Sequence, residues 1–395
     1  MYRMNFFKQE LFWGGFAGIL IAVIIFTFSF MGSTVNPTPK DMPLALVVED
    51  EGVKPPTGEQ LNFGKMLEEQ IKQNDNESVE WTILESREKA INEMNDKNFY
   101  ASIVIPNDLS QKIPTLLGPS PQNAEVEILI NEGLNKPAAA IGEQVANGII
   151  AKLNQQVQTN LYTQVSERQM PLSVEQAQQL AQPISVKTEK LNPVPSYTAN
   201  GNAPAVFTQI IWLTTFISSM ILFTVVKKIG LRWTSLVSQL LGGFIFVSGI
   251  TGLVFWLANN VLEVTIPDKG GMLILMLFVG LMFYFIQGAF LNWIGYAAAP
   301  IFILLFFFSM PVLTLPPEML PDITKSWLYD WVPFRFSVEA FKDILFFDKN
   351  PLNDGIGILG YTALISLLVM SLSVLKPTAK KLEQSKVKEP ARGAD

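Results

Sequence analysis

The sequence predicts an α-helical polytopic membrane protein, with six transmembrane helices and an extracellular α/β domain inserted between the first and second. Three observations predict it. Hydrophobic residues make up 49% of the 395 and charged ones only 16%, with 28 Phe, a more apolar balance than a water-soluble domain carries. Six runs contain no Asp, Glu, Lys or Arg: 11–31, 206–226, 236–257, 272–290, 294–314 and 355–375. Each is close to the roughly 20 helical residues that cross about 30 Å of hydrocarbon. Between 33 and 204, short β-rich runs alternate with polar helical patterns, as in an α/β domain.

The first run follows a short basic start, as a secretory signal does. Its length exceeds the usual signal core of about 7–15 residues, so an uncleaved anchor is expected. Orientation follows from Lys and Arg near the span ends. Arg3 and Lys8 precede the first span, Lys227, Lys228 and Arg232 fill the connection after the second, and Lys376, Lys380 and Lys381 begin the tail. These three segments are expected in the cytoplasm. The other connections carry Glu263, Asp268, Glu318, Asp322 and Asp354 and are expected outside. The division is then a cytoplasmic amphipathic start at 1–10, the first transmembrane helix at 11–31, the extracellular domain at 32–204, a five-helix transmembrane domain at 205–375 and a basic cytoplasmic tail at 376–395, all in the plasma membrane.

Within the outer domain, strands are expected at 44–49, 79–84, 100–105 and 125–130, with helices at 59–73, 86–95 and 109–117. Ser86 is placed to cap its helix. A long helix over 137–169 carries Ile141, Val145, Ile149, Leu153, Val157, Leu161 and Val165 at four-residue steps. Such a stripe drifts about 40° per step. It winds around a partner surface, either its own domain or, alternatively, a second copy or stalk partner. The stretch Asn192, Pro193, Val194, Pro195 turns Gly/Asn-rich by Gly201 and reads as a hinge or a plain connector.

Enzymatic chemistry finds no foothold. Neither Cys nor His occurs, which removes thiol and imidazole catalysis and the usual zinc and haem ligands. Gly14, Gly15 and Gly18 lie in an apolar run without the Lys-Ser/Thr of a phosphate loop. Glu49, Asp50 and Glu51 read as a solvated turn, with a cation site as the alternative. The net charge of −6 argues against nucleic acid. No cofactor is expected.

The polar side chains in or beside the spans are chiefly the amides Gln209, Gln239, Gln287 and Asn292. Ion-coupled transporters place ionisable groups at that depth, so active transport by this chain would draw energy from elsewhere. Gly242, Gly243, Gly249 and Gly252 permit close helix packing, with a pathway lining or dimer seam as the alternative. Trp327, Trp331, Pro333 and Arg335, with Tyr329, Phe334 and Phe336, suit short helices at the outer headgroup level, in contact with membrane lipids.

Several short runs occur in a particular order: PLALVVEDEG at 43–52, LNFGK at 61–65, Trp81, EKA at 88–90, NFYASIVIPNDLS at 98–110 and NPVP at 192–195. Together the chain resembles the YhgE/Pip group, the phage infection protein family, related to nitrosoguanidine-resistance-type proteins and similar in its membrane part to type-2 ABC exporter permeases. The resemblance implies a permease half that works as a homo- or heterodimer in a Gram-positive plasma membrane, exporting amphiphilic or toxic compounds with a separate ABC ATPase. It also implies an alternative, a non-transporting platform for phage adsorption, DNA entry or type VII secretion. Larger members carry a much longer coiled-coil-like outer region, whereas this chain has the one long helix. Carrying over the exporter scheme makes Lys227, Lys228, Arg232 and Trp233 the expected contact with the ATPase.

Overall fold

The computed structural model describes residues 10–31, 38–54, 60–73, 77–349 and 356–376. Most of the amphipathic start and of the basic tail lies outside them. The chain forms two compact units. One comprises Met1–Phe30, Ala203–Leu313 and Leu328–Asp395, and the other Met31–Asn202 and Thr314–Trp327.

The second unit is α/β. Strands β1 (Met42–Val48), β2 (Val79–Leu84), β3 (Ala101–Ile105), β4 (Ala124–Asn131) and β5 (Ile184–Leu191) form one sheet in the order β2-β1-β3-β4-β5. β1 is parallel to β2 and β3, β3 is antiparallel to β4, and β4 is parallel to β5. The central β3 is buried along its whole length, which explains its unbroken ASIVI. The expected strands and helices form, joined by β5, which sequence reading missed. β5 is an edge strand, and its Lys187, Glu189 and Lys190 obscure the apolar alternation of Ile184 and Val186.

Helices α2 (Phe63–Gln73), α3 (Arg87–Asn95), α4 (Leu109–Thr115), α5 (Lys136–Glu167) and α6 (Val174–Ala181) complete the unit. Ser86 caps α3, its hydroxyl accepting from the Lys89 amide at 3.2 Å. Along α5 the buried positions include Ala138, Gly142, Ala146, Ile150, Leu153, Val157 and Leu161. The three-residue step from Ile150 to Leu153 takes back about 60° of the drift, about 40° at each four-residue step, so the stripe still winds along the helix while staying on the unit's own core. In the first half this face lies one residue from the Ile141–Val145–Ile149 row, whose members sit at its margin. Small residues win there because the helix lies close on the sheet: a Cβ on Gly142 would stand 3.1 Å from that of Ala101.

Thr314–Trp327, distant in sequence, belongs to the same unit. Glu318 ties it down, its carbonyl accepting from the Lys40 amide at 3.0 Å and its carboxylate from the Tyr100 hydroxyl at 2.8 Å. Met319 enters the core.

The first unit is helical: α1 (Glu10–Met31, its end passing into the other unit), α7 (Ala203–Ile229), α8 (Trp233–Asn260), α9 (Lys269–Ile294), α10 (Ala298–Thr314), α11 (Pro333–Phe346) and α12 (Ile356–Leu372). Among the described residues, four stretches are long and apolar enough to cross a membrane: Ala203–Ile229, Trp233–Asn260, Lys269–Thr314 and Gly357–Leu375. At 46 residues, Lys269–Thr314 would reach about 69 Å if straight, more than twice a hydrocarbon core. It is not straight. Gly295, at φ 68°, breaks it in a conformation that L residues rarely adopt. Phe283 and Phe302, from its two arms, both meet the Trp212 ring, at 5.0 and 5.6 Å. The arms therefore fold back as a hairpin, α9 and α10, matching the two separate runs of the sequence.

Candidate functional site

Side-chain pairs fix how the helices run. α8 meets α9 with Gln239 against Asn292, Gly243 against Tyr284 and Val247 against Gly280, so the two are antiparallel. α7 places Ile211 near Gly280 and Ser219 on Gln287, running parallel to α9. α12 brings Met370 to Gly288, and Lys376 just beyond it to Trp293, so it ends where α9 ends. The end of α7, the start of α8, the α9–α10 turn and the end of α12 thus meet at one end of the bundle.

That end is cationic. Lys227, Lys228, Arg232 and Lys376 lie there, and the stretches 227–235, 293–297 and 369–376 hold no Asp or Glu. Gly230, at φ 90°, turns the chain between α7 and α8, and the Ser235 hydroxyl fastens the turn, donating to the Gly230 carbonyl at 2.7 Å and accepting from the Arg232 amide at 2.7 Å. Lys227, Lys228, Arg232 and Trp233 are all exposed, Trp233 at 56%. Lys227 Nζ stands 4.6 Å over the Tyr296 ring, whose hydroxyl is 2.9 Å from that of Thr224. Lys376 Nζ donates to the Trp293 carbonyl at 2.5 Å, and Trp293 Nε1 to the Val369 carbonyl at 2.9 Å. Trp293, Tyr296 and Lys376 therefore join the loop expected from sequence. The charge of Lys376 already placed it on the same side, whereas distance along the chain hid Trp293 and Tyr296; the short polar break between two apolar runs was the signal available. Such a surface carries a positive potential that attracts anionic groups.

The four amides of the apolar helices are paired. Gln239 and Asn292 exchange hydrogen bonds at 3.3 and 3.1 Å, and the Tyr284 hydroxyl donates to the Gln239 carbonyl at 2.7 Å. Gln287 accepts from Ser219 at 3.2 Å and donates to the Trp212 carbonyl at 3.1 Å. Gln209 Nε2 lies 3.3 Å from the Met310 sulfur. These groups fasten helix to helix.

The aromatic residues expected at the outer headgroups divide between the units. Trp327 falls in the α/β unit, while Trp331, Pro333 and Arg335 fall in the helical one. Pro333 opens α11, and Phe334 beside it is fully buried, 4.5 Å from Trp212 and 5.6 Å from Phe283. Trp212 lies about 13 Å along α7 at 1.5 Å per residue, and Phe341, further along α11, meets Phe207 nearer the start of α7. α11 thus runs back along α7. Arg335 is held by the rings of Tyr329 and Phe336, at 4.3 and 4.7 Å.

The hinge candidates are fastened. Asn192 Nδ2 donates to Asn95 and Asn131, each at 3.1 Å, and the Val194 amide to Glu132 at 3.2 Å. The Pro195 carbonyl accepts from the Thr198 hydroxyl at 2.6 Å, and the Gly201 amide donates to the Thr198 carbonyl at 3.1 Å. Pro193 lies between these anchors. Burial pushes the Glu132 carboxyl up, but hydrogen bonds from Lys190 and the Val194 amide outweigh it and hold the group below its ordinary value.

Of the three acidic residues expected in a solvated turn, Glu51 is exposed but Glu49 and Asp50 turn inward, and among the described residues no acidic cluster is grouped to hold a metal ion. Asp50 is buried, accepting from the Gly64 amide at 3.0 Å, the Ser110 amide at 3.1 Å and the Ser110 hydroxyl. Glu49 accepts from the Arg87 amide at 3.0 Å. The carboxylates serve the starts of α2, α4 and α3.

A family model described as ABC-2 family transporter protein matches residues 12–375. The uncharacterized protein YhgE of Bacillus subtilis is 27% identical over 149 residues, which is 37% of this chain and 19% of that protein, so the match spans less than a fifth of the relative. A crystal structure of a domain from a candidate ABC type-2 transporter of Thermotoga maritima aligns over 38% of this chain and 85% of its own, at 18% identity and a TM-score of 0.27. The family match spans both arms of the α9–α10 hairpin, the basic turn between α7 and α8, and the inserted α/β unit. The chain belongs to the ABC-2 family of transporter proteins.

Proposed function

We propose that this chain is the permease half of a plasma-membrane exporter that moves amphiphilic or toxic compounds as a dimer, driven by a separate ATPase. Its membrane part is read as six spans, α1, α7, α8, α9, α10 and α12, with both termini in the cytoplasm and the α/β unit outside. α11 is read as a half-helix entering from the outer side beside α7. The observation that carries the proposal is the single cationic end, where Lys227, Lys228, Arg232 and Lys376 gather from separate connections with no acid among them. Cytoplasmic ends of spans carry this excess, and it suits an acidic docking surface on a soluble subunit. The apolar runs of the six spans carry paired amides and no Asp, Glu, Lys or Arg, and the charges of the membrane part lie on α11 (Arg335, Glu339, Lys342 and Asp343) on the side read as outer, with Lys342 paired to Glu339 at 2.9 Å, which is why the energy is placed in a partner. The family match favours this reading over the non-transporting platform.

Reversing Lys227, Lys228 and Arg232 to Glu tests it in a strain made sensitive by deleting the gene. The variant is expected to reach the membrane at normal level and fail to restore resistance. Full restoration by the variant would remove the docking role from this end.

A further inference from the structure

The α/β unit contains a cleft that its own fold does not require. It lies at the β2 edge of the sheet, between α2 and α5, with a volume of about 440 Å³, within the roughly 300–1,000 Å³ of small-molecule sites. Leu67, Ile71, Trp81 and Ile149 supply apolar walls, Gln70 and Gln144 supply amides, and among the described lining residues the one charged group is Lys152, itself exposed. Gln70 Nε2 donates to Gln156 Oε1 at 3.0 Å, tying α2 to α5 beyond the cleft.

Gly148 gives the second observation. A glycine inside a helix destabilises it by up to about 1 kcal/mol relative to alanine, so it needs a reason. Gly142, two turns earlier on α5, has one, since a Cβ there would press on Ala101 and Leu44. Gly148 is exposed, and a Cβ there would meet nothing within 4 Å. It lines the cleft, so a larger side chain at this position has open space beside the cleft to enter.

We propose that this cleft binds an anionic amphiphile, with its apolar chain between α2 and α5 against Trp81 and its acidic head on Lys152. A cleft with apolar walls, two amides and a cation at its margin suits a molecule with an apolar chain and an acidic head, and disfavours a cationic surfactant. The site is separate from the cationic end of the helical unit, and the proposal concerns binding alone, whether or not the chain exports.

The test is photolabelling of the full chain in membranes, without any ATPase, using a diazirine-bearing dodecanoate and peptide mapping. Adducts are expected on the peptides holding Leu67, Trp81 and Ile149, competed by laurate and not by dodecyltrimethylammonium. Gly148→Leu, which adds a better helix former into open space, is expected to cut this labelling about tenfold without lowering the melting temperature. Lys152→Glu is expected to weaken laurate competition roughly threefold to tenfold. Labelling spread evenly over the α/β unit, labelling undiminished in Gly148→Leu, or equal competition by the cationic surfactant would overturn the proposal. Competition is read within one sample and the variants are compared with the wild type at equal melting temperature, so a failure of export would leave these outcomes unchanged.

Discussion

Tyr284 lies so close to Gly243 that a Cβ there would stand 2.2 Å from its ring. The ring is fully buried, and its hydroxyl is spent on the Gln239 carbonyl, so it has nowhere to retreat. Gly243→Ala is expected to destabilise the bundle by about 1–3 kcal/mol, read as a lower melting temperature in detergent, and the double variant with Tyr284→Leu to recover part of the loss. An unchanged melt for the single variant would deny the contact. In the α/β unit, Arg87 grips Glu127 and Glu189, the latter at 2.6 Å. The hydrogen bond from Arg87 is the chief cause that holds the Glu127 carboxyl below its ordinary value, against an opposing push from burial. A depressed carboxylate contributes stability above its unfolded pKa of about 4.3 and loses it as pH falls through the folded value. Arg87→Ala is therefore expected to lower the α/β unit's melting temperature at pH 7 and to flatten its acid dependence below about pH 4.3. A melt as steep in acid as the wild type would contradict the assignment.

At the scale of elements, the apolar runs were legible because a charge-free stretch of some 20 residues is seldom anything but a membrane span. Even the α9–α10 hairpin was readable as two runs, since Asn292 and Gly295 interrupt the hydropathy where the helix breaks. What failed was facing. In α5 the sequence displayed large residues at Ile141, Val145 and Ile149, while the closest approach to the sheet was made by Ala138, Gly142 and Ala146, because proximity selects smallness there. β5 was hidden by its charges, and the attachment of Thr314–Trp327 to the α/β unit by some 200 intervening residues of sequence. In the same way the cationic end was partly visible: charge put Lys227, Lys228, Arg232 and Lys376 on one side, whereas Trp293 and Tyr296 join them only through packing. The aromatic composition of α11 suggested an interface and concealed that Phe334 is a wedge between Trp212 and Phe283. Phe334→Ala is expected to lower bundle stability by about 3 kcal/mol, measured as a shift in thermal unfolding. A shift under about 0.5 kcal/mol would mean that α11 is not seated there.

For the whole molecule, the absence of Cys from the sequence permits a direct topology experiment without background. A membrane-impermeant maleimide added to intact cells is expected to label Ser185→Cys, on the α/β unit, and to leave Lys228→Cys unlabelled until the cells are opened. The reverse pattern would invert the orientation. Central to the proposed function is a membrane part whose six spans carry no charged side chain in their apolar runs and which offers one cationic end to an energy-supplying subunit. That claim meets its most direct measurement in gentle purification of the tagged chain from its native membranes, followed by identification of what accompanies it. An ABC-type ATPase is expected with the wild-type chain and not with the Lys227, Lys228 and Arg232 to Glu variant at equal abundance. No ATPase with the wild type, or equal recovery with the variant, would contradict the claim.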